Sequence, residues 1–466
     1  MKESGLSMDP PGWLDESARK TPIADDVDVC VIGGSCTGVF AAVRAARLGA
    51  RVAIVENNGF FGGVATAGLV SIWHSAFDWE GRRQIVGGLS LEVIERLKKR
   101  DAVQITHPPT PHRAYVFNPE EMKIELDALV LDQGIRPFFH ARFVEALRAE
   151  SGMAAAVIED KSGRRAITAR VFIDATGDGD VLARLGLPYT MNENPQPPTV
   201  NALFDFLGGI YEKNKDFDLS AEVHDARHPQ ALRQGYLWGS SVVGRPHTTM
   251  VAGTRSLRAR CADADDLTRA ELECRRQVRA IRDILHDRVP GGERVVLSGL
   301  SAHIGVRESR HAQCLHTLTR EDVLEGRAFD DAIGFGTYGA DVHHGDRAGI
   351  TMQYLDGTQK TIVPGEPTQH GRWRPESEGI TPFYQIPYRS LVPVGSRNLL
   401  VAGRLIGADR SAYGAIRVMM NCNQTGEAAG VAAVLSLDRA GRVADVPAEL
   451  LRRTLQAGGS LFPDQP

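Results

Sequence analysis

The stretch from Val27 to Glu56, VDVCVIGGSCTGVFAAVRAARLGARVAIVE, limits what this chain can fold into more than any other. The apolar run Val27 to Ile32 reads as a buried strand. Gly33 to Gly38 make a tight turn, Val39 to Leu48 a helix, and Arg51 to Val55 a second strand closed by Glu56. That order is a βαβ nucleotide-binding unit. A turn with little side-chain bulk lets a pyrophosphate approach the helix N-terminus, where free N–H groups and the helix dipole favour negative charge. Glu56 follows Gly33 by about 23 residues, close to the ~20-residue spacing of a ribose-binding acid. The G-x-G-x-x-G register is imperfect, because Ser35 follows Gly34 where the middle glycine belongs and only Gly33 and Gly38 fit. The Ser35 Cβ crowds the pyrophosphate, while its hydroxyl can donate to a phosphate oxygen.

A literal match to the same pattern occurs at Gly334-Phe335-Gly336-Thr337-Tyr338-Gly339. It follows Asp330 and Asp331 rather than an apolar strand and precedes no amphipathic helix. It is therefore read as a loop at the edge of a pocket, and no second NAD(P) domain is expected.

The rest of the chain supplies partners for the first turn. GFFGGVATAGLVSIWH, Gly59 to His74, is small and glycine-rich, so its backbone can lie against something flat; His74 ends it. A helix is expected over about Leu89 to Lys99. Asn118 caps another with Pro119 at its first position, and Gly134 stops it. Short strands and a hairpin at Lys161-Ser162-Gly163 fill Arg136 to Asp174. ATGDGD then makes a tight turn into a short helix. Asp178 and Asp180 could hold a hard cation, but further ligands are lacking and no metal is expected. Asn398 to Gly407 reads as a strand running into glycine, and Ala412 to Leu437 as an Ala-rich helix or helix pair.

From about Pro195 to Pro382 the composition shifts to Arg, Asp, His, Pro and Gly, with a long helix near Leu267 to Leu285. This stretch reads as an α+β insertion. It carries His303, Arg307, Glu308, Arg310 and His311. Arginine forks recognise carboxylates and histidine moves protons near neutral pH. Arg307 with Glu308 is equally readable as a structural ion pair. His343 and His344 beside Asp341 are read as surface or hydrogen-bonding groups rather than metal ligands.

Net charge is −4, which gives no electrostatic case for nucleic acid or an anionic membrane. No run reaches the ~18 apolar residues of a membrane helix. The N-terminus lacks a secretory h-region, and the six cysteines form no C-x-x-C pair. A cytoplasmic location is expected.

With these segments in place, the chain resembles the FAD-dependent oxidoreductases of the glutathione-reductase-like, two-dinucleotide-fold superfamily. It is most similar to large bacterial members of unassigned substrate, and more distantly to fumarate reductase flavoproteins. The likeness runs from about Asp25 to Leu437 and is carried by VIGGSCTGVFAAVRAARLGARVAIVE, GFFGGVATAG, VGGLSLEVIERL, ARVFIDATGDGD, GVRESRHAQCLHTLTREDV, FYQIPYRSLVP and NLLVAGRLIGADRSAYGAIRVMMNCNQTGEAAG.

The resemblance implies FAD as cofactor and an α/β fold. A Rossmann-like, three-layer FAD-binding domain would be discontinuous, residues 25–194 and 382–440, with an α+β substrate or cap domain inserted at 195–381. Residues 1–24 would be a flexible leader and 441–466 a C-terminal tail. It implies that Gly33, Gly34, Ser35 and Gly38 cradle the pyrophosphate and that Glu56, with Asn57 beside it, holds the adenosine ribose. Gly62, Gly63 and Thr66 would approach the pyrophosphate and isoalloxazine. Phe143 or Val144 would meet adenine through backbone. Ala175, Thr176, Gly177 and Asp178 would pack near the adenosine, and Gly403 with Arg404 near the ribityl chain. A helix start at Ala415, Ile416 and Val418 would face the pyrimidine edge. The expected chemistry is hydride transfer between flavin N5 and a small organic substrate, with Arg307, Arg310, His303 and His74 as polar active-site groups. A monooxygenase or halogenase-like activity, or a non-catalytic protein with structural FAD, are the alternatives. The substrate is a small molecule, the electron donor or acceptor is unassigned, and a homo-oligomer is left open.

Overall fold

A computed structural model describes residues 18–106, 113–150 and 152–463. Most of the expected leader, residues 1–17, lies outside them. Its last residues do not precede the fold: strand β1 (Ile23–Ile32) already includes Ile23 and Ala24.

β1 leads through the glycine turn into helix α1 (Cys36–Arg47) and strand β2 (Val52–Val55). Helical hydrogen bonding begins at Cys36, inside the expected turn, because Ser35 caps it. β1 pairs in parallel with β2 on one side and with the long strand Gly163–Asp174 on the other. Arg136–Phe138 extends the sheet beyond β2. The Gly163–Asp174 strand has two partners on its far side. Its first half pairs antiparallel with Gly152–Asp160, which pairs with Arg142–Ala149. Its last residues pair in parallel with Leu399–Val401. Seven strands thus form one sheet, with two strand ends, Ile32 and Asp174, side by side.

Helix 419–437 covers this sheet together with α1. The two helices touch through glycine. A Cβ on Gly426 would stand 2.1 Å from the Thr37 carbonyl oxygen, and one on Gly430 2.1 Å from that of Ala41. Beside this contact Arg44 of α1 forms a buried ion pair with Glu427, whose other oxygen accepts the Leu89 N–H at 3.1 Å. The helix Leu89–Lys98 is thereby tied to both. Asn118 caps Pro119–Leu131 as its sequence suggests, accepting from Glu120 N at 2.9 Å.

A second hydrophobic cluster lies between Val200 and Ile304. Its sheet is antiparallel, in the order Trp238–Val242, Arg245–Ala252, Ala202–Asp205, Val296–Leu300. The apolar stripe of helix Ala264–Arg288, including Ala270, Cys274, Val278 and Ile281, packs on it. Residues after Ala312 return to the main core. The C-terminal stretch carries a helix, Ala448–Ala457, with Leu451 and Leu455 buried in that core.

The run at Gly334 is a loop at a pocket edge only in its second half, where residues 337–339 lie outside any strand and line a small cavity. Ala332–Gly336 is a buried strand paired antiparallel with Tyr384–Pro387. Gly336 leaves room for the Tyr384 ring and the Asn421 amide, each 2.6 Å from the place of a Cβ. Among the described residues no helix is long and apolar enough to cross a membrane.

Candidate cofactor site

The ends of β1, β2 and the Gly163–Asp174 strand open onto one cavity of about 1280 Å³. That exceeds the ~300–1,000 Å³ of ordinary small-molecule pockets and suits an extended ligand.

Gly33 begins the site at φ +105°. Its N–H donates to the Val55 carbonyl at 2.8 Å, joining the ends of β1 and β2. A Cβ there would lie 2.3 Å from the Ala175 oxygen. Gly38 is outside the lining; a Cβ on it would meet the Gly33 oxygen at 1.8 Å, so it lets α1 tuck beneath the turn. Ser35 lines the cavity in ordinary extended backbone, φ −62° and ψ 171°, and its hydroxyl accepts the Gly38 N–H at 3.5 Å. The serine is thus a helix cap, which a glycine in the ideal register could not be.

Glu56 is buried and lines the cavity with Asn57. One carboxylate oxygen accepts Gly34 N–H at 2.8 Å; the other accepts the Asn58 backbone and side-chain amides at 2.7 Å. Its orientation is fixed, and each oxygen keeps lone-pair capacity for a hydroxyl. Gly62 and Gly63 run beside the turn, Gly62 N–H donating to Gly34 O at 2.9 Å. A Cβ on Gly63 would stand 2.7 Å from that of Ser35. Thr66 is fully buried and outside the lining; its hydroxyl donates to Phe61 O at 2.7 Å and closes this loop.

Phe143 and Val144 line the cavity too, and Ala175, Thr176, Gly177 and Asp178 line it with Ala175 against Gly33. Asp174 beneath them is wholly buried. Thr176 donates N–H and O–H to one of its oxygens and Leu182 N–H to the other. Burial pushes its carboxyl up to about 6 against those bonds. Asp178 receives Arg404 Nη2 at 2.7 Å, and both side chains line the cavity with Gly403. Burial opposes the Arg404 charge, but Asp178 and Tyr413 hold it above the usual arginine value.

The helix start expected at Ala415 and Ile416 is displaced. These two residues end a separate helix, Arg410–Ile416, and are fully buried outside the lining. The chain breaks at Arg417, Val418 is the N-cap, and helix 419–437 begins at Met419 without a side-chain cap. Arg417, Met419, Cys422 and Asn423 line the cavity there. The sequence signal for this break is the pair Arg417-Val418, a charge and a β-branched residue interrupting an otherwise Ala- and Gly-rich helical run.

The four polar groups suggested for catalysis do not converge. His303 and Arg310 line the large cavity. His303 Nδ1 is 3.1 Å from the Ile304 oxygen, and Arg310 binds Asp178 O at 2.9 Å and Asp180 at 3.0 Å, bracing the ATGDGD turn. Arg307 is outside the lining and donates to Pro197 O and Thr199 Oγ1. It forms no ion pair with Glu308, which receives Gln196 N–H at 2.8 Å and faces His311 at 3.0 Å. His74 lines a different, smaller cavity of about 230 Å³.

Sequence reading missed a buried charge cluster between the two cavities. Arg255 is fully buried, its guanidinium donating to Thr199 Oγ1, Thr254 O and Tyr236 O. Arg417 Nη2 lies 3.4 Å from Asp341 Oδ1, and His343 Nε2 lies 3.3 Å from the same oxygen. Burial lowers Arg255 to about 10. Burial and the neighbouring Arg255 and Arg417 charges pull Arg307 well below its usual value. Burial, and then the Arg307, Arg255 and Arg417 charges, pull His343 well below its usual value. His343 and His344 are both buried rather than on the surface; His344 lies within 3.0 Å of Thr351 Oγ1 and 3.1 Å of Ala348 O.

A family model described as FAD dependent oxidoreductase matches residues 28–455. A Baeyer-Villiger monooxygenase of Streptomyces coelicolor is 48% identical over 52 residues, which is 11% of this chain; the match spans only 9% of that relative's length. In structure the chain is similar to a geranylgeranyl bacteriochlorophyll reductase-like protein from Thermoplasma acidophilum, at TM-score 0.45 and 11% identity, covering 93% of this chain and 83% of that one. It is similar to the flavin-dependent brominase Bmp2 at TM-score 0.45 and 10% identity, covering 92% and 83%. It is also similar to p-nitrophenol 4-monooxygenase PnpA from Pseudomonas putida DLL-E4 at TM-score 0.42 and 10% identity, covering 93% and 82%.

Proposed function

This chain belongs to the family of FAD-dependent oxidoreductases, and from that premise we propose that it exchanges a hydride with a small organic substrate. We also place it in the glutathione-reductase-like superfamily, on the strength of its βαβ turn and the later ATG and AGR segments. The residues of the large cavity fit FAD: the glycine turn for the pyrophosphate, Glu56 for the adenosine ribose, Phe143 and Val144 for adenine, and Gly403 for the ribityl chain. When bound, FAD supplies two-electron chemistry at flavin N5.

The observation that carries hydride exchange is the positive end of the cavity. Arg417 and the uncapped start of helix 419–437 meet there. A guanidinium and a helix N-terminus together stabilise a ring system that gains negative charge on reduction. The stretch 195–381 supplies the facing wall through Leu267, Glu271, His303 and Arg310, which supports its role as a cap that excludes water.

The test is an anaerobic metabolite screen on purified flavin-bearing protein. Bleaching of the visible flavin band by an organic substrate is the expected result. The local match to a Baeyer-Villiger monooxygenase favours a second reading, oxygen insertion. Substrate-stimulated consumption of NAD(P)H and oxygen in equal amounts, without anaerobic bleaching by any substrate, would replace the first reading by the second.

A further inference from the structure

The small cavity is built from a sheet that the cofactor site does not use. Ala340–His343, Ile350–Gln353, Thr358–Ile362 and Gln369–Arg372 pair antiparallel in that order. Asp341 stands opposite Met352, and Met352 opposite Lys360. These three form a cross-strand row on one face, and all three line the cavity. Tyr354, two residues beyond Met352, lines it too. Ser75, Thr337 and Gly339 line it as well, and so do His74 and Tyr338, whose rings are 5.5 Å apart and inclined at 45°.

The two ends of the row differ in charge. At one end Asp341 has Arg417 and His343 within 3.4 Å of Oδ1, neither of them hydrogen-bonded to it, and the Tyr338 hydroxyl, which donates to Oδ2 at 3.1 Å. At the other end the half-buried Lys360 ammonium lies 5.5 Å from the centre of the Tyr354 ring and has no carboxylate partner among the described residues. Behind Asp341 stand Arg255, Arg307 and Arg417. Among the described residues Asp341 is the sole carboxylate that any of the three touches. Arg255 Nε and Gln196 Nε2, both on fully buried side chains, have no hydrogen-bond partner there. The surroundings therefore carry an excess of positive charge that the protein itself does not balance.

We propose that this chamber is the substrate site and that it takes a single-ring aromatic carboxylate, with the carboxylate at Lys360 and the ring between Tyr354, Tyr338 and His74. This deepens the hydride-exchange reading and rests on it only for the word substrate. Size decides against larger ligands. Two strand spacings, roughly 10 Å, separate Asp341 from Lys360, and a volume of about 230 Å³ holds one ring with its acid group. The Asp341–Arg417 pair is where chamber and cofactor cavity meet, since Asp341 lines the chamber and Arg417 the cofactor cavity. His74 and Tyr338 then stand at the ring's far end, where a ring substituent would meet the Tyr338 hydroxyl.

The experiment is a ligand-observed NMR titration of the flavin-bearing protein with benzoate, benzamide, cyclohexanecarboxylate and benzylammonium. Benzoate is expected to bind most tightly. Lys360→Met is expected to weaken benzoate about tenfold and leave benzamide unchanged, because only the charged ligand uses the ammonium. Tyr338→Phe, which keeps the ring, is expected to retain benzoate affinity. Equal binding of benzylammonium, or benzoate affinity unmoved by Lys360→Met, would overturn the proposal, as would no benzoate binding to protein whose flavin band is intact. Lys360-dependent benzoate binding without bleaching by any aromatic acid would instead uphold the chamber and count against hydride exchange.

Discussion

Two glycine-rich runs in this molecule do opposite work. At Gly33 the glycines come where a parallel strand ends and a helix begins, and the backbone turns with φ +105° beneath an open cavity. At Gly334 the first two, Gly334 and Gly336, lie within a strand, and their missing side chains are filled by the protein itself. Gln424 of helix 419–437 grips Phe335 from both sides, receiving its N–H at 3.0 Å and donating to its carbonyl at 2.8 Å. The first run sets a helix start at the wall of a cavity, and the second begins in a strand buried within the protein. What separates a cavity-lining turn from a packing joint is therefore where the glycines fall relative to a helix start, rather than their spacing.

The largest expected effect tests that contrast directly. Gly33→Ala forces a Cβ onto the Ala175 carbonyl in left-handed backbone, and should cost at least about 3 kcal/mol and lower FAD affinity by about a hundredfold or more. Gly334→Ala meets only the Gln424 Cβ at 3.2 Å, and should cost about 1 kcal/mol or less with FAD retained. Flavin content and thermal unfolding of the two variants measure both, and flavin loss from Gly334→Ala would break the comparison. Next, Gln424→Ala leaves two buried backbone groups of Phe335 unpaired and should cost about 2 to 4 kcal/mol, read by urea unfolding, again with FAD retained.

The third prediction concerns pH. Asp174 titrates near 6 in the fold, against about 4 in an unfolded chain. The folded state binds its proton more tightly, so this contribution is fully present below about pH 4 and is lost as pH rises through 6, a change of about 2 to 3 kcal/mol. Asp174→Asn should remove that part of the slope in unfolding measured between pH 4 and 7, although it also leaves Leu182 N–H without its carboxylate acceptor. An unaltered slope would refute it. The smallest effect is Ser35→Gly, which restores the ideal register and loses only a weak cap. A few tenths of a kcal/mol in stability and FAD affinity within about threefold are expected by calorimetric titration.

The βαβ unit, the capped helix at Asn118, the hairpin at Ser162 and the Ala-rich C-terminal helix were legible because each is fixed by local chemistry: apolar runs, caps and turn residues. The glycine turn, Glu56 and the ATG and AGR segments were legible for the same reason. The strand at Gly334 was not, since its neighbours are Tyr384 and Gln424, far away in sequence. Arg307 and Arg310 looked like substrate clamps because arginine forks suit carboxylates, but Arg310 braces a turn and Arg307 serves backbone carbonyl and hydroxyl acceptors. The cluster of Arg255, Arg417 and Asp341 draws on three distant segments, and no local pattern marks it.

The glycine contact between α1 and helix 419–437 sets an order of events during synthesis. Helix α1 leaves the ribosome early, yet the surface that receives Thr37 and Ala41 is encoded near residues 426 and 430. At ~5–20 residues per second, roughly 20 to 80 seconds pass between the two. Throughout that interval the βαβ unit is made but lacks one side of its core, and the strand Leu399–Val401 that completes the sheet is also still to come. The nascent chain must keep an apolar helix face covered by provisional contacts or a chaperone, and a chain terminated before helix 419–437 would carry every residue of the glycine turn and still have no closed floor on which to hold a flavin.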